Sequence, residues 1–238
     1  MDILRAASRV RFVRIFHALL FALTVTVLSA ADTPVFNRTI YLVRHGNYTS
    51  SKDLAADDGF LNPLGLAQAR LVAARLRGLP IVFTSLTAST MPRARQTAEV
   101  IHELFPDVPL QTTPLLRECT PRTWRPNAIK SDKPADLDAA EAQLNAAFVK
   151  YFVPAQGRDE NDIIVCHGNV IRYLVMKALH VDTQAWLGFS IAHCSLTVVR
   201  VSPDGSFKIF AVGDIGHIPP NLQSGATKAD PQLVAPRT

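Results

Sequence analysis

The sequence predicts an α/β fold: a three-layer sandwich with a mostly parallel central sheet, helices on both faces and an antiparallel hairpin at one edge. Three observations predict it. Ile40-Tyr41-Leu42-Val43 and Ile163-Ile164-Val165-Cys166 are short continuous apolar runs, the pattern of strands buried on both faces. Segments with helical spacing and Asn or Pro starts lie between them. Near the end, Pro203-Asp204-Gly205 separates two alternating runs, as a hairpin turn does. Composition agrees: 48% hydrophobic and 19% charged over 238 residues suits one globular domain with a real core.

Taken in order, residues 32–38 read as a linker and 39–43 as the first strand. The polar stretch 50–59 reads as a loop. Asn62 caps a helix with Pro63 in its first position, and Gly78 stops it. Leu64, Ala67, Leu71, Ala74 and Leu76 are its expected apolar stripe. Ile81-Val82-Phe83 reads as the next buried strand, with 86–88 in a loop before Ser89. Thr90-Met91-Pro92 opens a second helix running to about 104. A strand at 110–115 leads to Arg117-Glu118. The stretch 120–134, rich in Pro, Arg and Lys, reads as a long loop suited to a lid or specificity element. Residues 135–152 are helical, with Leu137, Leu144, Ala147, Phe148 and Tyr151 on one face. Then come a central strand at 163–166, a helix at 170–179 and a hairpin of 195–201 with 206–212. From 219 to 238 the chain reads as a loosely ordered tail.

The N-terminus differs in kind. Arg5, Arg9, Arg11 and Arg14 precede an apolar stretch from Ile15 to Leu28, followed by Ser29-Ala30-Ala31. This is the layout of a signal peptide over 1–31, with a membrane anchor through 15–30 as the alternative. The expectation is therefore an exported protein, periplasmic or secreted, whose domain spans 32–218. Without the leader, four arginines and Asp2 are lost and the formal charge falls from +5 to +2. So mild a charge argues against nucleic acid as a partner. Arg117, Arg122, Arg125 and Lys130 form a basic cluster that suits an anionic substrate. Cys119, Cys166 and Cys194 are too few and too scattered for a disulfide framework or a zinc site, though one bridge stays open.

The chemistry concentrates at strand ends. Arg44-His45-Gly46 follows the first apolar run, and His167-Gly168-Asn169 follows the later one. Open α/β sheets bind ligands just outside the carboxyl ends of their strands. His45 is the candidate nucleophile, its other ring nitrogen needing a backbone acceptor. Arg44 and Arg93 are candidate clamps, because planar guanidinium offers phosphate two hydrogen bonds at once. Arg93 also lies in a first helical turn, and His167 precedes a helix start, where backbone N–H groups favour anions. Glu118 is the candidate acid for the leaving group. Arg44, Asn47, Arg93, His167 and Gly168 form the expected substrate-binding set. His193 reads as structural, and Asn47-Tyr48-Thr49 also matches a glycosylation tripeptide. His45, His167 and His217 lack metal-ligand spacing, so neither metal nor cofactor is expected.

These residues resemble the histidine phosphatase superfamily, in the branch containing cofactor-dependent phosphoglycerate mutase. The matches are Arg44-His45-Gly46, Leu61-Asn62-Pro63-Leu64-Gly65 with Gln68-Ala69, Ser89 through Arg93 with Gln96-Thr97-Ala98, Leu116-Arg117-Glu118, and His167-Gly168. Leu115-Leu116-Arg117-Glu118, Trp124-Arg125-Pro126, the run His167 to Tyr173 and Gly213-Asp214 with Pro219-Pro220 most resemble the mitochondrial phosphoglycerate-mutase-like serine/threonine protein phosphatases. The apolar N-terminus parallels that group's membrane-anchoring segment.

The resemblance implies a phosphoglycerate mutase-like fold. It implies phosphohistidine at His45, phosphate ligation by Arg44, Arg93 and His167, proton donation by Glu118, and no metal. Mutases of the superfamily carry a long insertion between the second arginine and second histidine. Here that interval is short, which points to water as acceptor and a phosphorylated small molecule or protein as substrate. Mutase-type transfer and a non-catalytic phospho-ligand-binding protein are the alternatives.

Overall fold

The apolar run at 40–43 becomes the centre of the sheet in the computed structural model, which describes residues 35–49 and 59–226. Six strands are present among these: β1 Arg38–Arg44, β2 Ser85–Ser89, β3 Leu110–Thr113, β4 Glu160–Cys166, β5 Leu196–Val201 and β6 Phe207–Asp214. They lie in the order β3-β2-β4-β1-β5-β6. The first four are parallel; β5 pairs antiparallel with β1 and β6 with β5. The helices are α1 Pro63–Arg77, α2 Pro92–His102, α3 Pro134–Tyr151 and α4 Gly168–Ala178.

Strand alternation divides the core into two layers. Tyr41, Val43, Ile163 and Val165 pack under Val72 and Leu76 of α1 and Ala94 and Ile101 of α2. Ile40, Leu42, Ile164 and Cys166 face Leu144 of α3 and Ile171 and Leu174 of α4. Both faces are covered, which is why β1 and β4 carry unbroken apolar runs.

Three expectations need correction. The second strand is Ser85–Ser89, not 81–83, so 86–88 is no loop. Val82 is 81% exposed, while Phe83 wedges edge-on between Tyr41 and Phe105. An apolar triplet in a connection imitates a strand; the real one is small and polar because its end serves the site. Secondly, α1 buries Gly65, Gln68, Ala69, Val72, Ala73 and Leu76, so only Leu76 of the expected stripe is buried. Small residues carry this face because α1 touches the backbone after β1. A Cβ on Gly65 would stand 1.9 Å from the Asn47 carbonyl oxygen, an impossible approach. Thirdly, residues 219–226 do not form a loose tail. Pro220–Leu222 form a 3₁₀ turn, and the segment beyond is hydrogen-bonded into the rim where the parallel strands end. Residues 227–238, the 50–58 loop and the expected leader at 1–31 lie outside the described residues. Among the described residues no helix is long and apolar enough to cross a membrane.

Candidate active site

Register brings the two strand-end histidines together. Arg44 is the Cα partner of Cys166 across the β1–β4 pair, so the next residues, His45 and His167, emerge side by side. Adjacent strands run about 4.8 Å apart, and the two imidazole centroids lie 5.0 Å apart. Ser89 ends the neighbouring strand β2 and meets His167 Nε2 through its hydroxyl at 2.9 Å. The N–H of Met91 donates to the same hydroxyl.

His45 is fully enclosed and has one fixed tautomer. Its Nδ1 lies 2.8 Å from the Gly46 carbonyl oxygen, which can only accept, so Nδ1 carries the hydrogen. The lone pair is therefore on Nε2, and Arg93 Nε donates to it at 3.2 Å. Burial, then His167, Arg44, His193 and Arg93, hold the pKa of His45 well below the usual imidazole value. The ring stays neutral, as a nucleophile requires. The backbone that carries it is pinned from α2: Gly46 N–H donates to Thr97 Oγ1, which donates to the Arg93 carbonyl.

Arg93 sits in the first turn of α2, buried, with its guanidinium 4.6 Å from the Tyr48 ring centroid. The Tyr48 ring stands edge-on to His45 at 5.2 Å. Arg44 donates through Nη1 to the carbonyls of Ile191 and Gly225, at 2.5 and 2.7 Å. Its Nε is buried with no protein partner and passes Gly168, where a Cβ would lie 3.5 Å away. Nδ1 of His167 is likewise buried and unpaired. Burial first, then the three arginines Arg93, Arg44 and Arg117, depress its pKa well below 6.5. Orphaned polar atoms beside the buried Arg93 and the half-buried Arg44 are what an anion site offers.

Glu118 follows the 3₁₀ turn Pro114–Leu116. Burial raises its pKa, opposed by Arg44 and Arg93, by the backbone N–H of Asn169, and by Arg172. Its Oε1 is buried and unpaired. The structure thus gathers Arg44, His45, Arg93, Glu118, His167 and Gly168.

Other expected residues fall elsewhere. Both ends of the Asn47 side chain are used: Nδ2 donates to Ser224 Oγ at 3.0 Å, and Oδ1 accepts from Asn62 at 2.6 Å. These bonds tie the rim together. Arg122 pairs with Asp138 and Glu141 on α3, so it anchors its loop. Arg125, Lys130 and Trp124 on the same loop are exposed. His217 Nε2–H donates to the Cys194 carbonyl. All three cysteines are free.

Sequence reasoning missed Tyr48, His193 and Ser224. His193 is 7% exposed and its ring lies 5.4 Å from that of His45. Its signal was present: it precedes Cys194, whose N–H donates to the Arg44 carbonyl. Ser224 was hidden because nothing in a polar terminal stretch announces that it folds back.

The profile of the histidine phosphatase superfamily (branch 1) matches residues 40–149 and 146–214. The chain is 37% identical over 195 residues to the mitochondrial serine/threonine-protein phosphatase Pgam5 of Caenorhabditis elegans, covering 77% of this chain and 65% of that protein. It is 35% identical over 194 residues to the Homo sapiens mitochondrial protein of that name, again over 77% of this chain and 65% of the relative. The match therefore spans just under two thirds of these relatives' length. Among solved structures, the phosphoserine phosphatase of Entamoeba histolytica in complex with 3-phosphoglyceric acid superposes with a TM-score of 0.60. It is 19% identical, with 76% of this chain and 99% of that one covered, and it establishes the phosphoglycerate mutase-like fold.

The expectation of export, periplasmic or secreted, behind a signal peptide is overturned by these relatives, which are mitochondrial. The cause of the error is physical. Four arginines with one acid before residue 15 form a cationic head that mitochondrial targeting segments share with secretory ones. With the sheet order, the buried His45–Arg93 contact and this extent of match together, the chain belongs to the histidine phosphatase superfamily, branch 1.

Proposed function

We propose that this protein is a metal-independent phosphatase that hydrolyses phosphomonoesters through a phosphohistidine on His45. The observation that carries the reading is the His45 ring itself. It is neutral and enclosed, its Nδ1 hydrogen is committed to the Gly46 carbonyl, and its Nε2 lone pair faces Arg93.

In the first step that lone pair forms an N–P bond as the P–O bond to the leaving group breaks. Arg44, Arg93 and His167 hold the equatorial oxygens, and Glu118 gives its proton to the departing oxygen. In the second, the Glu118 carboxylate takes a proton from water, whose oxygen attacks phosphorus. The N–P bond breaks, phosphate leaves, and Glu118 is protonated again. Burial favours the protonated carboxyl at the start, while three arginines stabilise the carboxylate between steps.

Water is the preferred acceptor because the chain between Arg93 and His167 is taken up by β3, the 120–134 loop, α3 and β4. The relatives named as serine/threonine-protein phosphatases support a phosphoprotein substrate and a mitochondrial setting for this chain. We assign residues 35–226 to the catalytic domain.

The test is hydrolysis of p-nitrophenyl phosphate in EDTA, with acid-stable controls and trapping of acid-labile phosphohistidine. Turnover should persist in EDTA, and His45→Ala should trap no phosphate. Full turnover by His45→Ala would exclude the mechanism. Conversion of 3-phosphoglycerate to 2-phosphoglycerate faster than phosphate release would favour a mutase.

A further inference from the structure

His193 has no part in the mechanism above, yet its proton can be placed by following one hydrogen-bond network from its backbone anchors. The N–H of Gly65 donates to Asn62 Oδ1 at 2.9 Å, which turns the Asn62 amide nitrogen toward Asn47 Oδ1. The Asn47 amide nitrogen must then face Ser224 Oγ, at 3.0 Å. Independently, the backbone N–H of Asn47 donates to Gln68 Oε1, and Gln68 Nε2 donates to the Leu222 carbonyl. These two contacts orient the Gln68 amide, so its nitrogen also donates to Ser224 Oγ, at 2.9 Å.

Two amide donors occupy both lone pairs of the Ser224 hydroxyl. Its own hydrogen has one acceptor left, His193 Nδ1 at 2.9 Å. The backbone adds a second tether, from His193 N–H to the Ser224 carbonyl at 2.9 Å. Gly225 lies flat against the ring with φ +78°, and a Cβ there would come within 2.5 Å of Nδ1. Burial, with Arg44 and Arg93, holds the pKa of His193 at about 3, so the ring is neutral with a single hydrogen. That hydrogen is on Nε2, which is buried and has no protein partner. The ring centroid is 5.4 Å from that of His45, and His193 lies just before β5, the strand that flanks β1 on the side opposite β4.

We propose that His193 is a third imidazole of the phosphoryl site, donating its Nε2–H to a non-bridging phosphate oxygen. The proposal rests on the phosphatase reading for its ligand but not on turnover. Ser224, Gln68 and Asn47 are the positioning residues that set the His193 tautomer from three different segments of the chain.

Two substitutions separate donation from packing. His193→Asn keeps an acceptor for Ser224 near the place of Nδ1 and leaves no N–H at the place of Nε2; His193→Gln extends an N–H toward the place of Nε2. With inorganic phosphate as the probe in calorimetry, the Asn variant should bind about 10- to 100-fold more weakly, as expected for one bond to a charged group. The Gln variant should recover most of that loss. Unchanged affinity in the Asn variant, or equal loss in both, overturns the proposal. Should either variant fail to fold, histidine ¹⁵N NMR of the wild-type protein decides. The His193 resonance should report hydrogen on Nε2 and move on adding phosphate; hydrogen on Nδ1, or no movement, overturns it. A protein that binds phosphate through His193 yet traps no phospho-His45 would refute the catalytic mechanism and leave this inference standing.

Discussion

Acidifying the ligand-free protein from pH 7 to pH 5 should remove about 2 kcal/mol of folding stability through His193 alone. Its folded-state pKa is about 3, depressed by burial and by the guanidinium groups of Arg44 and Arg93. The unfolded chain takes up the proton near the ordinary pKa of about 6.5. Between those values the unfolded state holds more protons, so stability falls as the pH is lowered through the window and levels off below about 3. At pH 5 the system is about 1.5 units inside the window, at about 1.4 kcal/mol per unit. His45 and His167 are shifted in the same direction and add to the loss. The His193 share is isolated by comparing the wild-type protein with His193→Asn. Urea unfolding of both at pH 7 and pH 5 is the assay, in phosphate-free buffer because a bound anion would add its own stabilisation. The wild-type loss should exceed the variant's by about 2 kcal/mol. The same pH dependence in both proteins would show that folding leaves the His193 pKa at its unfolded value, which refutes the reasoning.

Other outcomes follow from the same geometry. Gly65→Ala must push α1 off the Asn47 carbonyl and should cost about 2 kcal/mol or more, read by thermal unfolding, with kcat/KM falling because the loop carrying His45 moves. Glu118→Gln should lower kcat by about 100- to 10,000-fold for phosphoserine peptides. It should matter far less for p-nitrophenyl phosphate, whose leaving group needs no proton. Because the carboxyl pKa is raised, the wild-type rate on peptides should decline as rising pH strips that proton, and the Gln variant should lose this limb. Arg93→Lys keeps charge but gives up the planar contact with Tyr48 and the Nε bond to His45; kcat/KM should drop about 100-fold or more.

The sequence was most informative where chemistry and chain direction coincide. β1 and β4 announce themselves as apolar runs, and parallel pairing then forces Arg44-His45 and Cys166-His167 onto one rim. Arg93 was legible from the Pro92 helix start. β2 was not, because a strand whose end serves the site carries small and hydroxyl residues in place of an apolar run, as Ser89 bonding His167 illustrates. The α1 stripe misled for a related reason: side-chain size signals burial only where neighbours leave room for it. The Asn47 side chain completes the circuit from Asn62 to Ser224. That circuit depends on residues far apart in the chain, which no local pattern encodes.

The stretch from 219 to 226 gives the protein an order of events during synthesis. Arg44 is translated early, but the Gly225 carbonyl that helps aim it, and the Ser224 hydroxyl that orients His193, come from the last described residues. A nascent chain on the ribosome can pair β1 with β4 and still lack a finished pocket. Until residues 219–226 have been made, Arg44 lacks one of its two carbonyl acceptors and His193 lacks the hydroxyl that orients it.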